Sequence, residues 1–594
     1  MMKSERSIIN LGTLSAFLFL ALALLEVLAY QRGGGFEISA ALLWMFTGVL
    51  TYLFIVYIFL DDVVRDIKGR TYFGPMFMAA IIVILVSVYG NMIYSDINPD
   101  AVQQTTAGLK AWGEKGFRYT GSAFLGYPAR QYLLSALPSL VAGRSFGALH
   151  SGFGLPVIFG MAAFYAGMKA FIRRRNHVPG HWAVIAVAGV TASPFFVEYY
   201  LNFEQAIFPV AFTLQATGLI LMLFYGDEKP HLIKVSAYIS LFWTGCMLGT
   251  SYTPGLAGLG LLMFFLCAKA AESIAKHRST NHYGKTEVNA NMVIYITMVL
   301  SMFIFAYLSL KSLSGTHSGA GNRLAETDLA MFWENARNGI SGFWGSAVNF
   351  YKTKDNFWGI LALPLIPYMI LSLTGVLRFR DFVISGWSLA VFGASFALKG
   401  YTSYQTMWLM QRGLLVVPVL IAGLVMCIID FSEKRESFGI VRLCMCLRKN
   451  RSRRSTVSVR DSAFPEKVKP YASKIAAMSL TFLLIFSSLY WFNKPNQSFV
   501  YFNHVGKMKI LLEDLQKRTL SDGVGKEDVF SVVLITNQIL LHNLGDYSTY
   551  LYPNSQALVF KSMDEFAGLP EQPVKFYVYS IGEYIDVPEV VNIE

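Results

Sequence analysis

The feature that most constrains this chain is the recurrence of long apolar runs separated by short polar stretches. A helix crosses a bilayer with about 20 mostly apolar residues. Runs that meet or approach this length lie at 8–30, 38–60, 73–94, 149–172, 181–198, 205–225, 233–251, 254–272, 291–310, 357–377, 382–398, 412–430 and 475–492. Roughly thirteen spans follow. Only 15% of the residues are charged, against 54% hydrophobic and 15% aromatic, whereas a soluble domain carries about 25% charge. Soluble, disordered and disulfide-stapled secreted classes are therefore excluded, and the chain reads as an all-α polytopic membrane protein. A basic flank precedes the first run without a small-residue cleavage site, so that run reads as a retained helix.

Charge predicts the orientation. If Lys3 and Arg6 lie in the cytoplasm, every second connection should be basic. Arg65, Lys68 and Arg70 satisfy this, as do Arg173 to Arg175, Lys229 with Lys234, Lys276 with Arg278 and Lys285, and Arg378 with Arg380. The connection 432–474 agrees, with twelve Lys/Arg against four Asp/Glu. Its stretch RKNRSRR, 448–454, reads as an anchor against anionic cytoplasmic lipid rather than a nucleic-acid site. The N-terminus is then cytoplasmic and the C-terminus extracytoplasmic, in the plasma (inner) membrane. Two outer-face loops are large, 95–148 and 311–356. The tail 493–594 changes character, with thirteen Asp/Glu against eight Lys/Arg. It holds a helical stretch at 504–517 and strand-like runs at 529–535 and 574–580. The expected division is a transmembrane domain, 1–492, and an extracytoplasmic α/β domain, 493–594.

The apolar spans hold almost no carboxylates, which disfavours an ion pathway at the midplane. Acids gather instead at the outer face: Asp96, Asp100, Glu198 and Glu204, opposite Arg130, Lys399 and Arg412. A base facing cations that can hold an anionic leaving group suits group transfer. The same positions also suit ordinary interfacial charges at helix ends. The five cysteines supply no zinc-site spacing beyond Cys444 and Cys446, and none lies in the outer segments. No Walker loop or dinucleotide fingerprint is present, so ATP and nicotinamide are not implied.

The order of motifs adds a resemblance. After the third apolar run come SDINPDAVQQTTAGLKAWGEKGF and GYPARQYLLSALPSLVAG, then a span opening GALHSGFGLPVIFG. Further on stand TASPFFVEYYLNFEQAIFPV and WLMQRGLLVVPVLIAGL. This series resembles the GT-C integral-membrane glycosyltransferases, the class containing bacterial protein O-mannosyltransferases and aminoarabinose transferases. Asp100 matches the family's loop aspartate, Tyr127 and Pro128 its aromatic-Pro motif, and Glu204 or Glu198 the acid before a later span. Arg412 falls where a lipid-phosphate contact is expected. Ala101 and Ala129 stand where many members have Glu and a second Pro, and two extra spans precede the family's usual opening helix.

The resemblance implies a GT-C-like fold of about thirteen helices with a small extracytoplasmic α/β domain. It implies transfer of a sugar from a polyprenyl-phosphate donor to an extracytoplasmic glycolipid, polysaccharide or protein. Asp100 is then the general base, with Asp96 one turn earlier as its rival or partner. Arg412, Lys399 and Arg130 are the donor-phosphate candidates, and Glu204, Glu198, Tyr127 and His150 the acceptor or donor contacts. His150, at the mouth of a span, equally suits a packed interfacial histidine. No organic cofactor is implied; a divalent cation, Mg2+ or Mn2+, held by Asp100 and Glu204 is left open. The partners are the lipid-linked donor, the acceptor and membrane lipid, without nucleic acid. A flippase or transporter of lipid-linked saccharides, or a glycan polymerase or ligase, is the alternative class. A transporter would show inverted repeats and midplane charges; a polymerase shares the donor.

Overall fold

The computed structural model describes residues 35–90, 99–113, 116–118, 130–173, 180–192, 207–225, 231–249, 296–301, 505–525, 528–535, 550–568, 575–580 and 589–590, with isolated positions elsewhere. Within them the chain is mostly helical, with a small α/β sheet near the C-terminus. The expected spans at 254–272, 357–377 and 382–398 lie outside the described residues. Those at 8–30, 291–310, 412–430 and 475–492 are touched only at scattered helical positions.

Five apolar runs form helices: α1 (Ile38–Lys68), α2 (Phe73–Gly90), α5 (Phe146–Arg173), α7 (Ile207–Tyr225) and α8 (His231–Gly249). A sixth contributes α6 (Trp182–Thr191). Among the described residues two helices, Met45–Lys68 and Phe146–Arg173, are long and apolar enough to cross a membrane. Helix α5 lies at the centre, with most of its residues buried. By contrast α1 keeps one face open along its length, where Phe46, Leu50, Leu53, Tyr57, Leu60, Val64 and Ile67 are exposed at helical spacing. An apolar stripe of that length is suited to hydrocarbon rather than water.

Helix directions follow from which residues meet. Tyr52 stacks on Phe159 and Phe59 meets Tyr165 edge-on, so α1 and α5 run parallel. Phe153 meets Phe208 and Phe171 meets Tyr225, so α5 and α7 run parallel as well. Helix α8 packs on α7, with Phe212 against Trp243 and Gln215 Nε2 donating to Thr244 Oγ1 at 2.6 Å. The α5–α7 contact is close because its residues are small. A Cβ on Gly160 would lie 2.6 Å from the Ala211 carbonyl oxygen, and one on Gly218 would lie 2.2 Å from that of Ala163. Small residues that let backbones touch are the usual means of helix association in lipid, where apolar burial supplies no driving force.

Helix α1 extends eight residues beyond the apolar run that predicts it, through DDVVRDIK. The extension is helical and partly buried because its acids find cations on α5. Lys169 Nζ donates to both Asp66 carboxylate oxygens at 2.7 Å, and the Tyr165 hydroxyl donates to the same group at 3.2 Å. Arg173 pairs with Asp62, whose side chain is fully buried. Residue Gly74, at the start of α2, abuts the Tyr165 hydroxyl and Asp66, and Gly180 abuts Lys169. One ionic cluster thus joins the ends of α1, α2 and α5.

The C-terminal sheet has the order β4-β3-β5-β6, with β3 (Phe530–Ile535), β4 (Ser555–Phe560), β5 (Phe576–Ser580) and β6 (Glu589–Val590). Strand β3 is parallel to both β4 and β5, while β6 is antiparallel to β5. As the central parallel strand, β3 is buried throughout, which explains its unbroken apolar run. On one face Val532, Leu534, Tyr577 and Tyr579 pack with Leu515 of α9 (Val505–Ser521) and Tyr550 of a helical turn. On the other, Val533, Ile535 and Val578 pack on Phe566 of α10 (Met563–Ala567). Two tyrosines tie α9 down: Tyr579 donates to Asp514 at 3.1 Å and Tyr577 to Asp522 at 2.9 Å. Burial first, and the adjoining carboxylate second, push both phenols above their ordinary pKa.

Candidate functional site

The segment after α2 folds as a short helix, α3 (Pro99–Gly113). Proline suits a first helical position because no partner exists there for its missing N–H. An acid in the first turn, here Asp100, is favoured by the helix dipole. Ala101, Val102, Thr105 and Leu109 are buried while Lys110 faces out, so the helix is amphipathic and lies with one side on the bundle.

Beneath it lies α4 (Arg130–Ala142), which places Arg130 at its first residue. The Trp112 indole donates to the Leu133 carbonyl at 3.4 Å, joining α3 to α4. In turn α4 presses on α5: a Cβ on Gly152 would lie 2.2 Å from the Ser135 carbonyl oxygen. A two-stranded antiparallel pair, β1 (Gly35–Glu37) with β2 (Gly116–Arg118), ties the start of α1 to the segment following α3. The helix bearing Asp100 is therefore held by α4 and by this strand pair at the end of the bundle opposite the ionic cluster.

Of the residues expected at the site, Asp100 and Arg130 fall at the N-terminal ends of α3 and α4. His150 lies in the second turn of α5 and is fully buried, the position of a packed side chain as much as of a contact. Asp96, Tyr127, Glu198, Glu204, Lys399 and Arg412 lie outside the described residues. Among the described residues no three His, Cys, Asp or Glu side chains converge as a cation site requires, and Glu204, expected to hold a cation with Asp100, lies outside them.

Two residues of α3 were not singled out by pattern. Thr105 is fully buried and Thr106 partly so, and neither hydroxyl oxygen has a hydrogen-bond partner among the described residues. An uncompensated buried hydroxyl costs about 1–3 kcal/mol. The available signal was the polar run QQTT, 103–106, inside a helix whose register otherwise alternates cleanly between apolar and polar sides.

No family model matches the sequence, and no curated protein matches it. Solved structures of similar fold include ArnT from Cupriavidus metallidurans in the apo state, at 12% identity over 84% of this chain and 87% of that one, with a TM-score of 0.46. ArnT bound to undecaprenyl phosphate gives 12% identity over 85% and 90%, with a TM-score of 0.47. An Archaeoglobus fulgidus oligosaccharyltransferase tethered with an acceptor peptide gives 11% identity over 83% and 65%, with a TM-score of 0.38. Likenesses this loose assign no role to any residue.

Proposed function

We propose that this chain is an integral-membrane glycosyltransferase of the GT-C kind, taking a sugar from a polyprenyl-phosphate carrier at the outer membrane face. What carries the reading is the placement of Asp100. It stands in the first turn of an amphipathic helix that directly follows an apolar helix and packs against α4, in the motif order that the sequence resemblance requires.

In this mechanism a carboxylate, Asp100 or its neighbour Asp96, removes the proton from an acceptor hydroxyl. The hydroxyl oxygen attacks the anomeric carbon as the bond from that carbon to the phosphate oxygen breaks. The electron pair leaves with the polyprenyl phosphate. Arg412, Lys399 and Arg130 hold the departing phosphate; arginine suits this because its planar fork bonds two oxygens at once. Glu204, Glu198, Tyr127 and His150 orient the sugar or the acceptor. The N-terminus is cytoplasmic, and the tail from residue 493 forms an extracytoplasmic domain beside the site.

Undecaprenyl phosphate, the leaving group without its sugar, is the direct probe. Native mass spectrometry of the detergent-purified protein should show one bound copy that excess phosphatidylglycerol does not displace. Arg412→Ala should weaken binding by about tenfold or more, the scale of one charge-assisted contact. Failure to bind, or displacement by any anionic lipid, would overturn the donor assignment.

A further inference from the structure

The Tyr550 phenol joins two distant parts of the chain. It donates to the Ser145 carbonyl at 2.9 Å and, having one hydrogen, accepts from the Ser139 hydroxyl at 2.8 Å. The Tyr550 carbonyl accepts from Arg144 at 3.1 Å. Ser139 lies in the last turn of α4 and Ser145 immediately precedes α5, so one tyrosine pins both sides of the corner between them. Tyr550 is fully buried at that corner. On its other side the same helical turn belongs to the packing of the C-terminal sheet, with Tyr552 edge-on to Phe530 and bonded to Thr519 of α9 at 2.7 Å.

The far side of α4 carries α3. The Trp112 indole bonds the Leu133 carbonyl, and Ala101, Val102 and Leu109 share one apolar core with Leu133, Leu134 and Ala136. A mechanical path therefore runs from the C-terminal sheet through Tyr550 to α4 and on to the helix whose first turn holds Asp100. Chains of packed side chains and hydrogen bonds of this kind carry coupling between distant sites.

We propose that Tyr550 is a positioning residue through which the C-terminal α/β unit holds the α4–α5 corner and so fixes α3 and Asp100. The proposal deepens the glycosyltransferase reading and rests on it for the role of Asp100. The unit is thus a brace for the membrane-side site and not merely an appended module.

Hydrogen exchange of the full-length protein in nanodiscs tests this, comparing wild type with Tyr550→Phe. The variant keeps the ring and removes both hydroxyl bonds. Amides at 103–109 of α3 should exchange about five- to thirtyfold faster, the effect of one or two lost hydrogen bonds. Amides of β3 at 530–535 should be unchanged. Unchanged exchange in α3 would overturn the proposal. Should β3 loosen equally, Ser139→Ala decides, because it removes one bond from the α4 side and leaves the sheet intact. Faster α3 exchange with β3 unchanged supports the brace, and no change refutes it.

Turnover separates a positioning role from a merely structural one. With a transferable donor, Tyr550→Phe should lower kcat with the donor KM unchanged. A protein that turns over no donor, yet shows the α3 response, would refute the enzyme reading and leave the mechanical coupling standing.

Discussion

Removing the ammonium of Lys169 isolates the ionic cluster that fastens α1. In Lys169→Met the stem is largely preserved, so little cavity forms, but Asp66 loses the partner that lies 2.7 Å from both of its oxygens. Its remaining bond is the 3.2 Å one from Tyr165. The side chains of Lys169 and Asp66 are only 6% and 13% exposed, and breaking a buried pair by removing one partner costs about 3–5 kcal/mol. The small opening at Asp66 puts the expected loss near the lower bound, about 3 kcal/mol. Replacing both partners, Lys169→Met with Asp66→Leu, removes the stranded charge. It should recover most of the loss, leaving about 1 kcal/mol for the Tyr165 hydroxyl that then lacks its acceptor. Reversible unfolding in mixed micelles would supply the free energies, and the double-mutant cycle the coupling. A single-variant loss below about 1 kcal/mol, or a double variant as unstable as the single one, would refute the cluster as a fastening of α1.

Three further outcomes follow. Gly218→Ala forces a Cβ to within 2.2 Å of the Ala163 carbonyl oxygen and should destabilise the α5–α7 pair by about 1–3 kcal/mol, read by the same unfolding assay; a neutral substitution would contradict the close approach. Thr105→Val removes a buried hydroxyl that has no partner among the described residues. Stability should rise by about 1 kcal/mol in the unfolding assay; a loss of stability of that size would show that the hydroxyl is satisfied after all. The raised phenol pKa values of Tyr577 and Tyr579 fix the sign of an alkaline effect. Their stabilising contribution is complete below the unfolded value of about 10 and is lost as pH rises above it. Tyrosinate absorbance and circular dichroism should show the C-terminal sheet loosening only above about pH 10, and less so in Tyr579→Phe; loss of the sheet at neutral pH would refute the assignment.

Local pattern made much of the helical frame legible. The runs at 73–94, 149–172, 205–225 and 233–251 became helices with boundaries shifted by a few residues, because hydropathy is a property of each segment alone. The tail helix and the strands 529–535 and 574–580 were legible for the same reason. What escaped depended on distant partners. The extension of α1 through Asp61, Asp62, Arg65 and Asp66 reads as a polar loop until Lys169 and Arg173, a hundred residues later, are seen to meet it. The β1–β2 pair joins two three-residue segments, too short and glycine-bearing to read as strands alone. Tyr550 gave no local sign, since its bonds reach back more than 400 residues. At the site, the motif order pointed to Asp100, and its helix is present. For Thr105 and Thr106 the polar run 103–106 was the only sign; that their hydroxyls are buried without partners among the described residues depends on what packs against α3 and not on α3 itself.

The most direct test of glycosyl transfer is release of undecaprenyl phosphate from a panel of undecaprenyl-phosphate sugars by the protein in nanodiscs, with a membrane extract supplying acceptors. Wild type should turn over one donor. Asp100→Asn, folded and still binding undecaprenyl phosphate, should be slower by about 100-fold or more, the contribution of a general base. No release from any donor by a folded wild-type protein would contradict the enzyme assignment, and an Asp100→Asn protein as active as wild type would move the base elsewhere.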